Sequence, residues 1–155
     1  MQRMMQSTGG SLDTLLKAWG LEFSTQGNCV VADNLYATLT PARSPGQEPE
    51  RRKTLLTLKK DSKNPDMDPI KNDPSTAEID SLTLFMAGAF KGQVTEGLTK
   101  LPLLTTSPNS MLQERMEAQF GGMGQGEWTD AGPYDLALKL TGSFKSAFPD
   151  GKPSD

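Results

Sequence analysis

Hydroxyl and amide side chains cluster where one of the most apolar runs of the chain ends. Leu101 to Thr106 is followed at once by the polar sequence Ser107-Pro108-Asn109-Ser110. In an α/β sheet, ligands commonly bind just beyond the end of a strand, so residues 105–110, the strand-end lip, are the candidate binding site. The side chains that could hydrogen-bond a solute or a glycan are Thr105, Thr106, Ser107, Asn109 and Ser110, with Trp128 or Tyr134 as a stacking ring. The same residue types form ordinary turns and caps, and both interpretations stay open.

Catalytic chemistry is restricted because the 155-residue chain contains no histidine. This excludes Ser-His-Asp and Cys-His nucleophile activation, histidine-ligated zinc and the commonest general base. Glu114 and Glu117 are three residues apart and could share one helix face. A glycosidase would need one of them and an aspartate about 5–10 Å apart across a cleft. A solvated face is the simpler interpretation, so we predict no catalytic residues and no enzyme.

Metal and phosphate motifs lack the required context. Asp61, Asp66, Asp68 and Asp73 do not follow the spacing of a calcium-binding loop with its terminal glutamate. The glycine-rich sequence at 121–126, GGMGQG, follows a predicted helix and lacks the Gly-Lys-Ser/Thr ending of a phosphate-binding loop. We therefore predict no metal site, no cofactor and no ATP hydrolysis by this chain.

Composition predicts one loop-rich globular domain. The chain is 35% hydrophobic and 23% charged, with 15 glycines and 11 prolines. We expect a flexible lead-in at 1–10, a single α/β domain at 11–148 and a flexible tail at 149–155. The net charge of −3 provides no general basic field for nucleic acid. No run of eighteen apolar residues occurs, so any membrane attachment is expected outside this chain.

One local basic cluster stands out against this acidic background. Arg51, Arg52 and Lys53 precede the apolar run Thr54 to Leu58, and Lys59 and Lys60 follow it. Such a cluster could meet anionic lipid headgroups. A solvated sheet edge, whose charges prevent aggregation, is the simpler interpretation.

The pattern of apolar residues predicts alternating helices and strands. Ser11 opens a helix whose apolar stripe includes Leu12, Leu15, Leu16 and Trp19, and Gly20 ends it. A second helix is predicted over Met111 to Phe120, with a core face of Leu112, Met116 and Phe120. Residues 61–80 are predicted to be a surface connection. The predicted strands are Cys29 to Ala32 (with Cys29 a buried core residue), Tyr36 to Thr40, Thr54 to Leu58, Leu82 to Phe90, Leu101 to Thr106 and Tyr134 to Thr141.

Several phrases taken together resemble a known family. They are SLDTLLKAWGLEF followed by VVAD, then DSLTLFMAGAF, GLTKLPLLTTSPNS and LALKLTGSFKSAFPDG. They resemble the auxiliary component of uncharacterised ABC-type (ABC-2) transport systems, the group that includes the gliding-motility protein GldG. The resemblance implies a membrane-anchored protein whose soluble part lies on the extracytoplasmic, periplasmic face beside a permease and its ATPase. It also implies an α/β fold with flavodoxin-like or class I glutamine-amidotransferase-like layers, without the amidotransferase nucleophile.

Two departures from the family pattern shape the expectation. Members often place His-Pro-Ile before the apolar strand, where this chain has Asp68-Pro69-Ile70. The soluble part of members also begins earlier, so we expect a sheet that is incomplete at one edge and could pair with a second copy in a homodimer. The predicted function is a non-enzymatic interaction or substrate-sensing domain of the transport system. The alternative is a solute- or glycan-binding module that uses the strand-end lip.

Overall fold

The fold is mixed and rich in β-strands. The computed structural model describes residues 11–42, 45–46, 48–60, 68–119, 128–149 and 151, so the predicted lead-in at 1–10 and the loop at 121–126 lie outside the described residues. The elements in chain order are α1 (Ser11–Ala18), β1 (Glu22–Phe23), β2 (Asn28–Asp33), β3 (Ala37–Thr40), β4 (Glu50–Lys59), β5 (Ser81–Phe85), β6 (Phe90–Lys91), β7 (Leu98–Thr105), β8 (Ser110–Glu114), α2 (Arg115–Gln119) and β9 (Asp135–Gly142).

Antiparallel pairing organises the described strands into three sheets. Their orders are β1-β6-β9-β7, β2-β8 and β3-β4-β5, and every ladder in them is antiparallel. Parallel strands need long crossover connections, usually helical, whereas α1 and α2 span only eight and five residues. The flavodoxin-like layering that the resemblance implies is therefore not shown by the described residues. The coarser expectation of a domain with both helices and strands holds.

The predicted first helix is confirmed, with a narrower buried stripe. Leu16 is 7% exposed, but Leu12 is 59% exposed and does not reach the core. Gly20 follows the helix with a φ of +78°, a conformation that favours glycine. Trp19 packs edge-on against Phe144, with ring centroids 5.0 Å apart. This contact joins the helix to the segment after β9.

The core draws one or two side chains from each of several elements. It consists of Val31, Leu56, Leu58, Ile70, Ala89 and Leu104. Cys29 is 7% exposed, which confirms its predicted burial. Ile70 is 1% exposed and forms an antiparallel bridge to Leu104. The prediction that 61–80 is a surface connection is therefore wrong around Ile70, because the chain there lies along β7 and fills the core.

The predicted second helix is mostly wrong. Residues Ser110–Glu114 form β8, which pairs with β2, and only Arg115–Gln119 is helical. Cross-strand pairing overrides the helical pattern here, since propensity is a weak prior against tertiary context. Met116 is 60% exposed, so the predicted stripe is not a core face; its third member, Phe120, lies outside the described residues.

The long predicted strand from Leu82 to Phe90 is divided in two. It breaks after β5 at Met86, which has a φ of 50°, and resumes as β6. Between them the Ala87 carbonyl accepts a hydrogen bond from the Val31 N–H at 2.8 Å. Five other predicted strands are confirmed in position, namely those that became β2, β3, β4, β7 and β9.

Candidate functional site

The strand-end lip is the turn that carries the chain from β7 into β8. Thr106, Ser107 and Ser110 are 3%, 1% and 0% exposed. Thr105 is half-buried and Asn109 is exposed. The structure therefore brings all five predicted binding residues into one turn, but it exposes only part of that set to solvent.

Two of the three buried hydroxyl groups, those of Thr106 and Ser110, bond to each other and to nearby backbone. The oxygens of Thr106 Oγ1 and Ser110 Oγ are 2.8 Å apart. Ser110 Oγ donates to the Ser107 carbonyl at 2.6 Å. Thr106 Oγ1 accepts from the Tyr134 N–H at 2.7 Å, which ties the turn to the start of β9. Because buried polar groups must find partners, these side chains act here as structural groups.

Asp33 anchors this turn and was missed as a site residue by sequence reasoning. Its carboxylate is 0% exposed and accepts hydrogen bonds from the Ser107 N–H at 2.7 Å and the Ser107 hydroxyl at 2.8 Å. It also accepts from the N–H groups of Leu35 at 2.8 Å and Tyr36 at 3.0 Å. A buried carboxylate is costly unless such donors surround it. Asp33, Thr106, Ser107 and Ser110 together form what we call the polar corner.

A close backbone approach closes the polar corner from the other side. The N–H groups of Ala131 and Gly132 both donate to the Ser110 carbonyl at 3.0 Å. A Cβ atom at Gly132 would overlap the Ser110 hydroxyl and the Ser107 carbonyl oxygen. The position therefore requires glycine for space, and the corner is packed on both sides.

The exposed part of the lip is small. Asn109 Oδ1 accepts a hydrogen bond from the Asn34 amide at 2.5 Å, and the Asn34 N–H donates to the Asn109 carbonyl at 3.1 Å. A solute at this surface would meet Asn109 and part of Thr105, while the other three hydroxyl groups are already engaged. Binding of a solute or glycan here stays a prediction.

Tyr36 and Asp68 flank the polar corner. Asp68 is 8% exposed and caps the chain by accepting from the Ile70 N–H at 2.8 Å. Burial raises the pKa of the Tyr36 phenol, and the charges of Asp33 and Asp68 raise it further. The phenol is thus neutral at ordinary pH.

The carboxylates considered for acid/base or metal chemistry are not assembled into a site. Glu114 and Glu117 are both exposed, so they lack the cleft that the glycosidase hypothesis requires. Among the residues that the structure describes, no group of three or more metal-ligating side chains converges. Asp61 and Asp66 lie outside those residues.

Asp73 has a defined structural role instead. The Ser75 hydroxyl donates to its carboxylate at 2.6 Å and the Ser75 N–H at 2.9 Å, and Lys139 Nζ lies 3.1 Å away. The Ser75 hydroxyl, the Ser75 N–H and Lys139 lower the pKa of Asp73 to about 2. The carboxylate therefore fixes the turn before β5 against β9.

The fold is a strand-rich domain, and the polar corner stabilises the turn between β7 and β8. The family model of an ABC-type uncharacterized transport system matches residues 1–155, and the chain belongs to this family. Comparison with curated proteins and with solved structures gave no significant match. Within the described ranges, no helix is both long and apolar enough to cross a membrane. The family match makes the chain an auxiliary component of an uncharacterised ABC-type transport system.

Proposed function

We propose that this chain is a non-enzymatic interaction or substrate-sensing domain that contacts the permease and the ATPase of its own transport system. The observation that carries the proposal is the polar corner, combined with the family match over the whole chain. Its buried carboxylate and hydroxyl groups are hydrogen-bonded to each other and to backbone and are closed off from solvent, which supports a structural rather than a catalytic role. The residues most suggestive of chemistry thus serve the fold.

Energy coupling in this proposal belongs to a separate subunit. The chain has no Gly-x-x-x-x-Gly-Lys-Ser/Thr sequence to cradle nucleotide phosphates. In this proposal the chain contributes by contacting the permease. The contact either positions the permease or signals to it that substrate is bound. A place in the GldG-like, gliding-motility branch of the family is part of the same proposal.

Co-purification tests the contact directly. The full-length protein is expressed with the permease and ATPase of its system, and the permease carries the affinity tag. We expect the auxiliary chain to co-purify in a fixed ratio and to be absent when a permease–ATPase pair from an unrelated transporter is used. Recovery with both pairs, or with neither, would contradict a specific auxiliary role.

Location and self-association are further parts of the proposal. We expect the domain on the extracytoplasmic face, anchored in the membrane by segments outside this chain. Protease added to spheroplasts should then degrade it while a cytoplasmic marker survives. We also expect a homodimer through an open sheet edge, and light scattering of the isolated chain would return the monomer mass if this is wrong.

A further inference from the structure

One outer strand of the β3-β4-β5 sheet has a regular backbone edge without a partner. β5 pairs with β4 on one side with no register shift, and no described strand pairs with its other side. The Met86 N–H donates to the Thr54 carbonyl at 2.9 Å. At the other end of the ladder the Lys60 N–H donates to the Asp80 carbonyl at 2.9 Å. These two bonds fix which residues of β5 bond to β4.

The remaining backbone groups of β5 point away from the sheet. Residues of an antiparallel strand bond alternately to the neighbour on one side and to the other side. Leu82 and Leu84 therefore bond to β4, and the N–H and C=O groups of Ser81, Thr83 and Phe85 face outward. In the described part of the chain nothing pairs with these outward groups. Such an edge is a template for pairing with another chain.

β5 lacks the features with which natural proteins block edge pairing, which are charged side chains, proline and bulges. Its sequence, Ser-Leu-Thr-Leu-Phe, contains no charge and no proline. The opposite outer strand, β3, has a register shift after Ala37 and is followed by Pro41. The outer edge of β7 contains Pro102, and its Leu103 carbonyl already accepts from the Lys71 N–H at 2.9 Å. β5 is thus the least protected of these three edges.

Two copies of β5 complement each other when they pair antiparallel about Thr83. Ser81 then lies opposite Phe85 of the second copy and Thr83 opposite its own equivalent, so each outward N–H meets a carbonyl. Leu82 lies opposite Leu84 of the second copy, in the closer pairs that share no hydrogen bond. Both leucines pack against the core of their own copy, so the pairing extends an apolar face. Phe85, which is 60% exposed, packs across Ser81 of the second copy.

Charge does not oppose this arrangement. The charged residue nearest to β5 along the chain is the exposed Asp80, which would lie opposite Met86 of the second copy. The two Asp80 side chains are then about 20 Å apart along the ladder. Salt screens exposed charges over about 8 Å, so their repulsion is weak.

We propose that two copies of this chain associate through β5 in a two-fold antiparallel pair centred on Thr83, which joins their three-stranded sheets into one sheet of six strands. The inference rests on the homodimer of the proposed function and names the edge that forms it. A second copy fits better than an unrelated strand, because the two-fold pair sets leucine against leucine and leaves neither β5 edge open. A strand of the permease is the competing occupant. An edge of five residues buries less than the about 1,200 Å² of a stable interface, so we expect a reversible dimer with a Kd of about 10–100 µM.

Sedimentation equilibrium of the 155-residue chain between about 5 and 500 µM tests the inference. We expect a reversible equilibrium between monomer and dimer. Thr83→Pro should be monomeric and folded, because it removes an outward N–H, leaves the bonds to β4 in place, and proline is tolerated on an edge whose N–H faces solvent. Thr83→Val retains the N–H and is the matched control, with a Kd within about fivefold of that of the unchanged chain.

A charge exchange at the same residue tests the register and does not depend on proline. Thr83→Lys and Thr83→Glu each place like charges opposite each other at the two-fold axis, and each should weaken association about fivefold. An equimolar mixture of the two variants pairs opposite charges and should recover the dimer. Thr141→Lys, at an exposed threonine of β9, is the control and should associate like the unchanged chain.

Three results would overturn the inference. They are an unchanged chain that is monomeric throughout, a Thr83→Pro variant that dimerises as well as Thr83→Val, and assemblies larger than a dimer, in which β5 would pair with β3 of the next copy. If the unchanged chain is monomeric and Thr83→Pro alone loses co-purification with the permease, the edge pairs with the permease. Failure of the unchanged chain to co-purify would instead contradict the auxiliary role and leave the β5 pair standing.

Discussion

The polar corner and the exposed cations of β4 use polar side chains in opposite ways. In the polar corner the Asp33 carboxylate is 0% exposed and accepts four hydrogen bonds. On β4 the exposed side chain of Lys59 has no carboxylate within ion-pair distance among the described residues. The side chains of the polar corner hold β2 against the turn between β7 and β8, whereas the charge of Lys59 faces solvent.

This difference teaches that residue type alone does not locate function. Small hydroxyl side chains after a strand suggest a binding site, yet the same groups satisfy the buried ends of β7 and β8. Lysines on a strand suggest a solvated edge, yet β4 is the central strand of its sheet. We therefore expect substitutions in the polar corner to lower the free energy of unfolding and a substitution of Lys59 to leave it nearly unchanged.

The largest effect is expected from Asp33→Ala. This change removes the acceptor of the Leu35, Tyr36 and Ser107 N–H groups, of which that of Ser107 is buried, and each hydrogen bond to a charged group contributes about 1.5–3 kcal/mol. We expect the free energy of unfolding in urea to fall by about 3 kcal/mol or more, which is in the range reserved for buried networks. Glu96→Ala, at an exposed carboxylate, is the control and should change it by less than about 0.5 kcal/mol. Equal effects would show that the corner has no special role.

Gly132→Ala should be the next most disruptive change. Its new Cβ would overlap the Ser110 hydroxyl and the Ser107 carbonyl, and overpacking of this kind costs about 1–3 kcal/mol. Gly27→Ala provides a comparison, since Gly27 has a φ of +63° but no atom near its Cβ position. It should cost about 1 kcal/mol through backbone strain alone. Thermal unfolding that ranks Gly27→Ala as the more damaging would contradict the packing of the corner.

Asp73 predicts a specific dependence of stability on pH. Its folded pKa of about 2 lies below the ordinary value of about 3.9 for an unfolded aspartate. Its contribution is therefore fully present above about pH 4 and is lost as pH falls toward 2. The melting temperatures of the unchanged chain and of Asp73→Asn should differ at pH 6 and converge near pH 2. Ser75→Ala, which removes the largest cause of the lowered pKa, should move the loss to higher pH, and a constant difference at all pH values would refute this assignment.

The smallest effect on stability is expected from Asn109→Ala. The side chain is exposed and bonds only to the amide of Asn34 within the described residues, so unfolding should change by about 0.5 kcal/mol or less. The same variant tests the alternative function. A sugar that raises the melting temperature of the unchanged chain but not of Asn109→Ala would establish binding at the strand-end lip, whereas we expect no such sugar in a panel.

Much of the strand framework could be predicted from local patterns, since runs such as Asn28–Asp33 and Asp135–Gly142 are apolar or alternating and end at turn residues. The second helix could not, because the sequence MLQERMEAQF satisfies a helical pattern equally well. Only the distant strand β2, paired with Ser110–Glu114, decides in favour of a strand. Ile70 was missed for a similar reason, since its flanking Pro69 and Lys71 indicate a loop while its own side chain fills the core.

The candidate site could be located by sequence but not interpreted. Clustering of Thr106, Ser107 and Ser110 was visible, but their partner Asp33 is 74 residues away from Ser107 along the chain. The signal in the sequence was Asp33 itself, which directly follows the apolar run Cys29-Val30-Val31-Ala32. A carboxylate at such a position is buried only where hydrogen-bond donors surround it. The face of the sheet that each cation of β4 occupies could not be predicted, because a register shift between Ala37 and Thr38 interrupts the alternation of side chains along the ladder.

A double-mutant cycle on Asp33 and Ser107 tests the central claim most directly. Unfolding in urea is measured for the unchanged chain, for Asp33→Ala, for Ser107→Ala and for the double variant. If the polar corner is a structural unit, the two changes are coupled by about 1.5 kcal/mol or more, since residues in one hydrogen-bond network are not additive. Additive effects, with a coupling energy near zero, would contradict the account and return the serine to the list of candidate ligand-binding groups.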